Sequence, residues 1–370
     1  MRPLDGCLVI DFSTLLPGPL ATLLLAEAGA EVIKVERPSG DEMRTWEPKW
    51  GSHSVDFALL NRGKKSIVID LKAPTERRKL DPLLAKADVL VEQFRPGVMA
   101  RLGLDYASLA ALNPRLVYCS ITGYGQTGPK RDVAAHDVNY IAEAGLLSLS
   151  MGRLSEPVLP PALIADIAGG SYPAVMNILL ALRERDRTGH GRHVDVSMSD
   201  NLFTITYWAV GRGFATGRWA DNGNDLVTGG SPRYQLYPTR DGRILAVGAL
   251  EQRFWDVFCD IAGLEPALRD DTNNRAQTIA SVREIIARDT AATWASRIAG
   301  RDCCCSVVAT VEEASRDPHF VARGLFQYQL ASDDGRTIPA LHVPIDRAFR
   351  GDPNVTLGAP ALGADDIDGL

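Results

Sequence analysis

Three places in this sequence carry side chains able to move protons. His136-Asp137 stands directly ahead of a helical pattern, Asp166 lies inside the run LIADIAGG, and Glu251 follows the apolar run LAVGAL. An imidazole and a carboxylate in opposite protonation states can pass a proton either way, each being base in one direction and acid in the other. Each residue also has a plainer reading. A His-Asp pair at a helix start commonly caps it by accepting from orphan amides. Asp166 could be a buried cap or an ion-pair partner, and Glu251 at a strand-to-helix junction could be a first-turn acid. Gly169-Gly170 could simply permit close helix packing. Taken singly, none of these residues chooses between the readings.

The elements that must position them follow a recognisable order. Residues 7–12 (CLVIDF) form an apolar run, Pro17, Gly18 and Pro19 mark a turn, LATLLLAEAGA has a helical pattern, and Val32 to Val35 is apolar again. Strand, helix and strand with short connections predict an α/β domain, a parallel sheet covered by helices. Further strands are expected at 66–71, 88–92, 115–121 and in HVDVSM, with a helix over 76–87 and one long helical region over 161–184. No G-x-G-x-x-G follows the first strand, so a dinucleotide fingerprint is missing where it would have to be. A helix over about 198–215 leads into the Gly- and Asn-rich stretch ATGRWADNGNDLVTGGSP, read as a linker. YQLYPTRDGRILAVGA predicts a hairpin turning at Asp241-Gly242, followed by helices near 251–262, 276–288 and 291–299. These make a second, smaller α+β domain. The expected division is a large domain over 1–197, a linker region over 198–231, a small domain over 232–317, and a segment over 318–370 that returns to pack on the large domain.

Composition limits the partners. At roughly 150 residues per domain, 370 residues predict two domains, and 45% hydrophobic with 23% charged residues is ordinary for a globular protein. A net charge of −6, spread without blocks, argues against nucleic acid as a partner. Six cysteines, with Cys303, Cys304 and Cys305 adjacent, form no disulfide framework and predict a reducing cytoplasm. The triplet is expected to pack at a strand start. Paired zinc-ligand spacings and H-E-x-x-H are both missing, so no metal is expected. Neither a signal pattern nor an apolar run of ~20 residues is evident, so no membrane is expected either. The C-terminal Asp368-Gly369-Leu370 is not an S-K-L address, which again predicts a cytoplasmic setting.

Longer stretches carry a resemblance. LLPGPLATLLLAEAGAEVIKVERPSGD, NRGKKSIVIDLK, VEQFRPGVMARLGLDY, SITGYGQTGPKRDVAAHDVNY and PALIADIAGG resemble the class III CoA-transferase family, also called CaiB–BaiF, in its α-methylacyl-CoA racemase branch. The likeness runs from about residue 4 to about residue 346. It implies an acyl-CoA thioester substrate with no separate cofactor, a Rossmann-like large domain, and an interlocked homodimer whose site lies between the large domain of one subunit and the small domain of the other. In that branch the residues matching His136 and Asp166 are the two acid/base groups, with those matching Glu251 and Asp137 supporting them. The matching CoA contacts are Arg37, Ile69, Asp70, Leu71 and Lys72; Gln93, Phe94 and Arg95; Arg101; and Ala135, Val138, Asn139 and Tyr140. Ala135 stands where relatives often carry Gly.

Racemising a carbon α to a thioester requires a proton to leave one face of an enolate and another to arrive at the opposite face, which His136 and Asp166 could serve. A helix opening at Asp137 would offer its amide to the enolate oxygen, where one such donor is worth about 2.7–4 kcal/mol. Glu251 could hold the His136 imidazole in one tautomer. Any one surface Arg is usually just solvated, but CoA phosphates need several guanidinium or ammonium partners, and Arg95-Pro96-Gly97 follows a strand end, where open α/β sheets bind ligands. The competing expectation is a CoA-transferase, in which Asp166 attacks the thioester as a nucleophile and then carries CoA. Transferases usually lack the histidine and carry a Gly-rich loop where this chain has Ala249-Leu250-Glu251-Gln252. A third reading is a non-catalytic acyl-CoA-binding protein.

Overall fold

The computed structural model describes residues 1–272 and 274–369; Leu370, the last residue of the expected return segment, lies outside them. Six apolar runs become the strands β1 (Leu8–Asp11), β2 (Glu31–Glu36), β3 (Lys65–Val68), β4 (Val89–Glu92), β5 (Val117–Thr122) and β6 (His193–Ser197). All pair in parallel, in the order β6-β5-β4-β1-β2-β3. Both β4 and β5 are buried along their whole length, as a sheet covered on both faces requires. The chain runs outward from β1 to β3, then returns beside β1 with β4. Neighbouring loops therefore diverge at the carboxyl ends of β1 and β4, the switch point where such sheets bind ligands.

The helices that frame this switch point are α1 (Pro17–Glu27), α2 (Val55–Asn61), α3 (Asp137–Glu143), α4 (Tyr172–Thr188) and α5 (Met198–Ile205). The core on one face of the sheet gathers Ile10, Ile33, Ile67, Leu90 and Tyr118 with Leu80, Leu83 and Leu84. Under the loop after β1 lies a buried ionic cluster. Lys64 is paired with Asp11 at 3.1 Å and Lys34 with Asp41 at 3.0 Å, all four side chains inaccessible. Lys34 Nζ also donates to the Ser13 carbonyl at 2.7 Å, and the Ser13 amide donates to Asp11 at 2.9 Å.

Two compact units emerge, Met1–Ala144 with Ala162–Ile205 and Ala322–Leu370, and Gly145–Pro161 with Thr206–Val321. The first unit thus includes 198–205 and leaves out 145–161. The second has its own core, in which β7 (Gln235–Pro238), β8 (Ile244–Val247) and β9 (Cys305–Val307) form an antiparallel sheet. The sheet packs on α6 (Gln252–Ala262) through Tyr237, Leu245, Trp255 and Phe258, with Trp294. The β7–β8 hairpin turns through Gly242 at φ +75°, where the Gly242 amide donates to the Thr239 carbonyl. Cys305 opens β9, and all six cysteines are free.

Several elements differ from the sequence expectation. The helix expected over 76–87 is two, Pro74–Arg78 and Asp81–Lys86, because Pro82 has no amide for a carbonyl four residues back. The strand expected over 66–71 stops at Val68. Asp70 then turns the chain, its carboxylate accepting from the Lys72 amide and its carbonyl from that of Ala73. The helix expected over 198–215 breaks at Thr206 into α5 and Tyr207–Thr216. Within the Gly- and Asn-rich stretch after it, Asp225 pairs with Arg212, and Trp219 lies against Gly213 of that second helix. The helical region expected over 161–184 is a π-helix over Ala165–Ser171 continued by α4. No apolar run of membrane-spanning length was expected, yet these two together make a 24-residue helix containing an 18-residue window apolar enough to span a membrane, half of that window buried within the fold. It is read as a core helix.

Candidate active site

The loop after β1, the turn after β4 and the loop after β5 border a cleft of about 490 Å³. Thr14 and Leu15 come from the first, with Pro17 at the start of α1, Gln93 to Pro96 from the second, and Gly123, Tyr124 and Arg131 from the third; His136, Asn139 and Asp166 also line it. Leu15 adopts φ +61°, a left-handed conformation rare for a branched side chain and concentrated at functional sites. Gln93 helps shape this floor. Its Oε1 accepts from the Gly18 amide at 3.0 Å, and its Nε2 donates to the Thr14 carbonyl.

His136 is the residue before α3, and its backbone amide donates to Asn139 Oδ1 at 3.1 Å. The Tyr140 hydroxyl donates to the Ala135 carbonyl at 2.8 Å, and its ring fills the space a Cβ at Gly123 would occupy. Tyr140 and Asn139 thus fix the loop that presents the imidazole. Asp166 enters from the π-helix, a geometry in which one extra residue per turn swings a side chain out of α-register, often at functional sites. Gly169 makes this packing feasible, since a Cβ there would lie 2.4 Å from the Met198 carbonyl oxygen. The Asp166 amide donates to Asp137 Oδ1 at 2.9 Å, tying the two acid-bearing elements together.

Burial, and after it the negative charge of Asp137, raise the Asp166 carboxyl from 3.8 to about 6, against an opposing pull from His136. Asp166 therefore stays protonated well above the usual carboxylate range. Asp137→Asn keeps the acceptor for the Asp166 amide but deletes the charge. We expect it to lower the pH at which Asp166 ionises and to move the acidic limb of the rate profile to lower pH, with an upward or absent shift contradicting the assignment.

The structure gathers most of the expected CoA contacts. Arg37, Ile69 to Lys72, Phe94 and Arg101 line a second hollow of about 580 Å³, which shares Thr14 and Phe94 with the cleft. Arg95, Gln93, Ala135, Asn139 and Tyr140 line the cleft itself. Val138 is exposed and borders neither. Asp137 is buried in the first turn of α3 with its carboxylate engaged by Asp166. Glu251 lies in the second compact unit, exposed, as the residue preceding α6. Sequence reasoning missed Leu15 and Arg131; the Pro-Gly-Pro run after Leu15 and the basic stretch PKR before Asp132 were the available signals. Among the described residues, no group of three His, Cys, Asp or Glu is arranged to hold a metal.

Comparison with known proteins agrees with this architecture. The family model for CoA-transferase family III matches residues 4–366. The chain is 35% identical to α-methylacyl-CoA racemase of Homo sapiens over 362 residues, covering 95% of this chain and 90% of that protein. It is also 37% identical to succinate–glutarate CoA-transferase of Agrobacterium fabrum over 374 residues, covering 93% and 89%. Among solved structures it resembles a CAIB/BAIF family protein from Brucella suis, with a TM-score of 0.81 and 29% identity, over 98% of this chain and 97% of that one.

Proposed function

The chain belongs to CoA-transferase family III, and from that premise we propose that it is an α-methylacyl-CoA racemase, interconverting (2R)- and (2S)-2-methylacyl-CoA thioesters. The observation that carries the reading is the carboxyl of Asp166, raised to about 6 while sharing a wall with the His136 imidazole. A carboxyl that ionises near neutrality can both donate and accept a proton under working conditions. In one direction the base form of one group removes the α-proton; the thioester carbonyl delocalises the charge as an enolate, and the acid form of the other returns a proton to the opposite face. In reverse the roles exchange. Asn139 and Tyr140 hold the imidazole loop, and Asp137 sustains the acid form of Asp166. No cofactor takes part, because the thioester itself acidifies the α-carbon.

The hollow bearing Arg37, Lys72 and Arg101 suits the phosphate end of CoA, and the cleft with Arg95 suits the arm leading to the thioester. The homodimer, and an orienting role for Glu251, belong to the same proposal and rest on the family resemblance.

Likeness to a CoA-transferase at 37% identity supports a second reading, with Asp166 as nucleophile. That route needs an ionised carboxylate, which Asp166 supplies at neutral pH, but it has no role for His136, which lines the same cleft. The two readings separate when one epimer of a 2-methylacyl-CoA is incubated in deuterated water with a free carboxylic acid. Deuterium at the α-carbon with loss of chirality is the expected result. CoA appearing on the added acid without α-exchange would establish the transferase instead. Neither change would leave only an acyl-CoA-binding protein.

A further inference from the structure

A third hollow, of about 670 Å³, adjoins the acid/base pair and has no part in the steps above. It shares Leu15, His136 and Asp166 with the cleft, so a group attached to the reacting carbon can enter it. Its walls are apolar, with Leu16, Trp46, Leu59, Leu163 and Leu341 among them. Trp46 and Leu163 are 44% and 48% exposed, apolar surface that a hydrocarbon would cover favourably.

Apart from the His136 imidazole, the ionisable side chains that border this chamber are acids. Besides Asp137 and Asp166 it is bordered by Glu42 and Asp56, and by no lysine or arginine. Glu42 opens the short helical turn Glu42–Thr45, and Asp56 lies in the first turn of α2. An acid in a first turn commonly just complements the helix dipole. Here, however, two separate elements bring acids to the same apolar space. Arg44 pairs with Glu36 at 2.6 Å and Lys49 donates to the Arg44 carbonyl at 3.1 Å, while Arg37, Lys72 and Arg101 line the neighbouring hollow, which Glu42 also borders. A carboxylate carried into the chamber would lose water and, away from His136, meet the like charges of Glu42 and Asp56.

We propose that this chamber receives the acyl group of the thioester, and that Glu42 and Asp56 act as a charge filter confining it to acyl groups without a terminal carboxylate. The inference rests on His136 and Asp166 being the reacting pair and narrows the substrate class they serve. The probes are a 2-methylacyl-CoA whose acyl chain ends in a carboxylate and the methyl ester of that same compound. Binding of each to the full chain is measured by calorimetry, and α-deuterium exchange is followed separately.

For the native protein we expect the ester to bind roughly tenfold more tightly or better, the penalty of two like charges at partly screened range. In the double variant E42Q/D56N the ratio should fall to within about twofold, and D56K should tilt it toward the carboxylate. The ratio is internal to each variant, so a reduced folded fraction cancels. No preference in the native protein, or a ratio unchanged in both variants, overturns the filter. A ratio that responds as stated while neither probe exchanges its α-proton leaves the filter standing and overturns the proton-transfer reading instead.

Discussion

Replacing Asp166 by Asn is expected to lower the interconversion of 2-methylacyl-CoA epimers by about 10²–10⁴-fold, the range for loss of a positioned acid or base. His136→Asn should lose a similar factor, and the double variant little more, since neither group completes the reaction without its partner. The two single variants differ in what survives. Each retains one group that can remove and return hydrogen on its own face, so in deuterated water each should exchange the α-proton of one epimer with retention. The two variants should select opposite epimers. The His136 variant also discriminates between chemistries, because Asp166→Asn disables a transferase as well, while a transferase would keep its activity without the imidazole. Either variant racemising at the native rate in both directions would remove that residue from the proposed role.

The second large effect concerns stability. Lys64 is inaccessible and donates to Asp11 at 3.1 Å, to the Pro19 carbonyl at 3.0 Å, to Thr22 at 2.7 Å and to Asn61 at 2.9 Å. It thereby joins β1, α1 and the end of α2 beneath the cleft. Burial works against the charged form of Asp11, yet Lys64 and Lys34, with hydroxyls from Ser13 and Thr22, hold its carboxyl at about 2. Lys64→Met keeps the side-chain length and removes the charge. It should cost about 3–5 kcal/mol, the usual penalty for stranding a buried charge, read as a lower denaturant midpoint. Because the native carboxyl ionises below its ordinary value, its contribution is present above about pH 4 and disappears as pH falls toward about 2. With Lys64 gone, Asp11 ionises at higher pH, so acid unfolding of the variant should begin at higher pH than in the native protein. An additional Asp11→Leu should recover part of the loss, since an apolar pair can replace a buried ionic one at little cost. A Lys64→Met protein as stable as the native one would show that the pair does not hold the loop.

Much of the large unit was legible because its strands are short continuous apolar runs, as buried parallel strands are, and their spacing to intervening helices allowed few other arrangements. The His136 loop and Asp166 were legible from residue type and from long matching stretches. Less visible were features that depend on what lies across a gap in sequence. The π-helix at Ala165–Ser171 has the same apolar pattern as an α-helix, and Gly169 within it lies close against the Met198 carbonyl. The break at Thr206 falls inside a pattern that reads as one helix. Gln93, a CoA contact by the family resemblance, is held in the cleft wall by the Gly18 amide and the Thr14 carbonyl, partners that its sequence surroundings do not show.

By itself the sequence determined the parallel sheet, which follows from local periodicity, and the family with its candidate imidazole and carboxyl groups, which long matching stretches carry. Only the tertiary structure decided that Asp166 stays protonated to about pH 6, that Leu15 floors the cleft in a left-handed conformation, and that the adjoining chamber is bordered by Glu42 and Asp56 with no lysine or arginine. Those properties arise from burial and from charges brought together across distant stretches of chain. Desolvation and Coulomb interaction depend on separation in space, which packing of the whole unit sets.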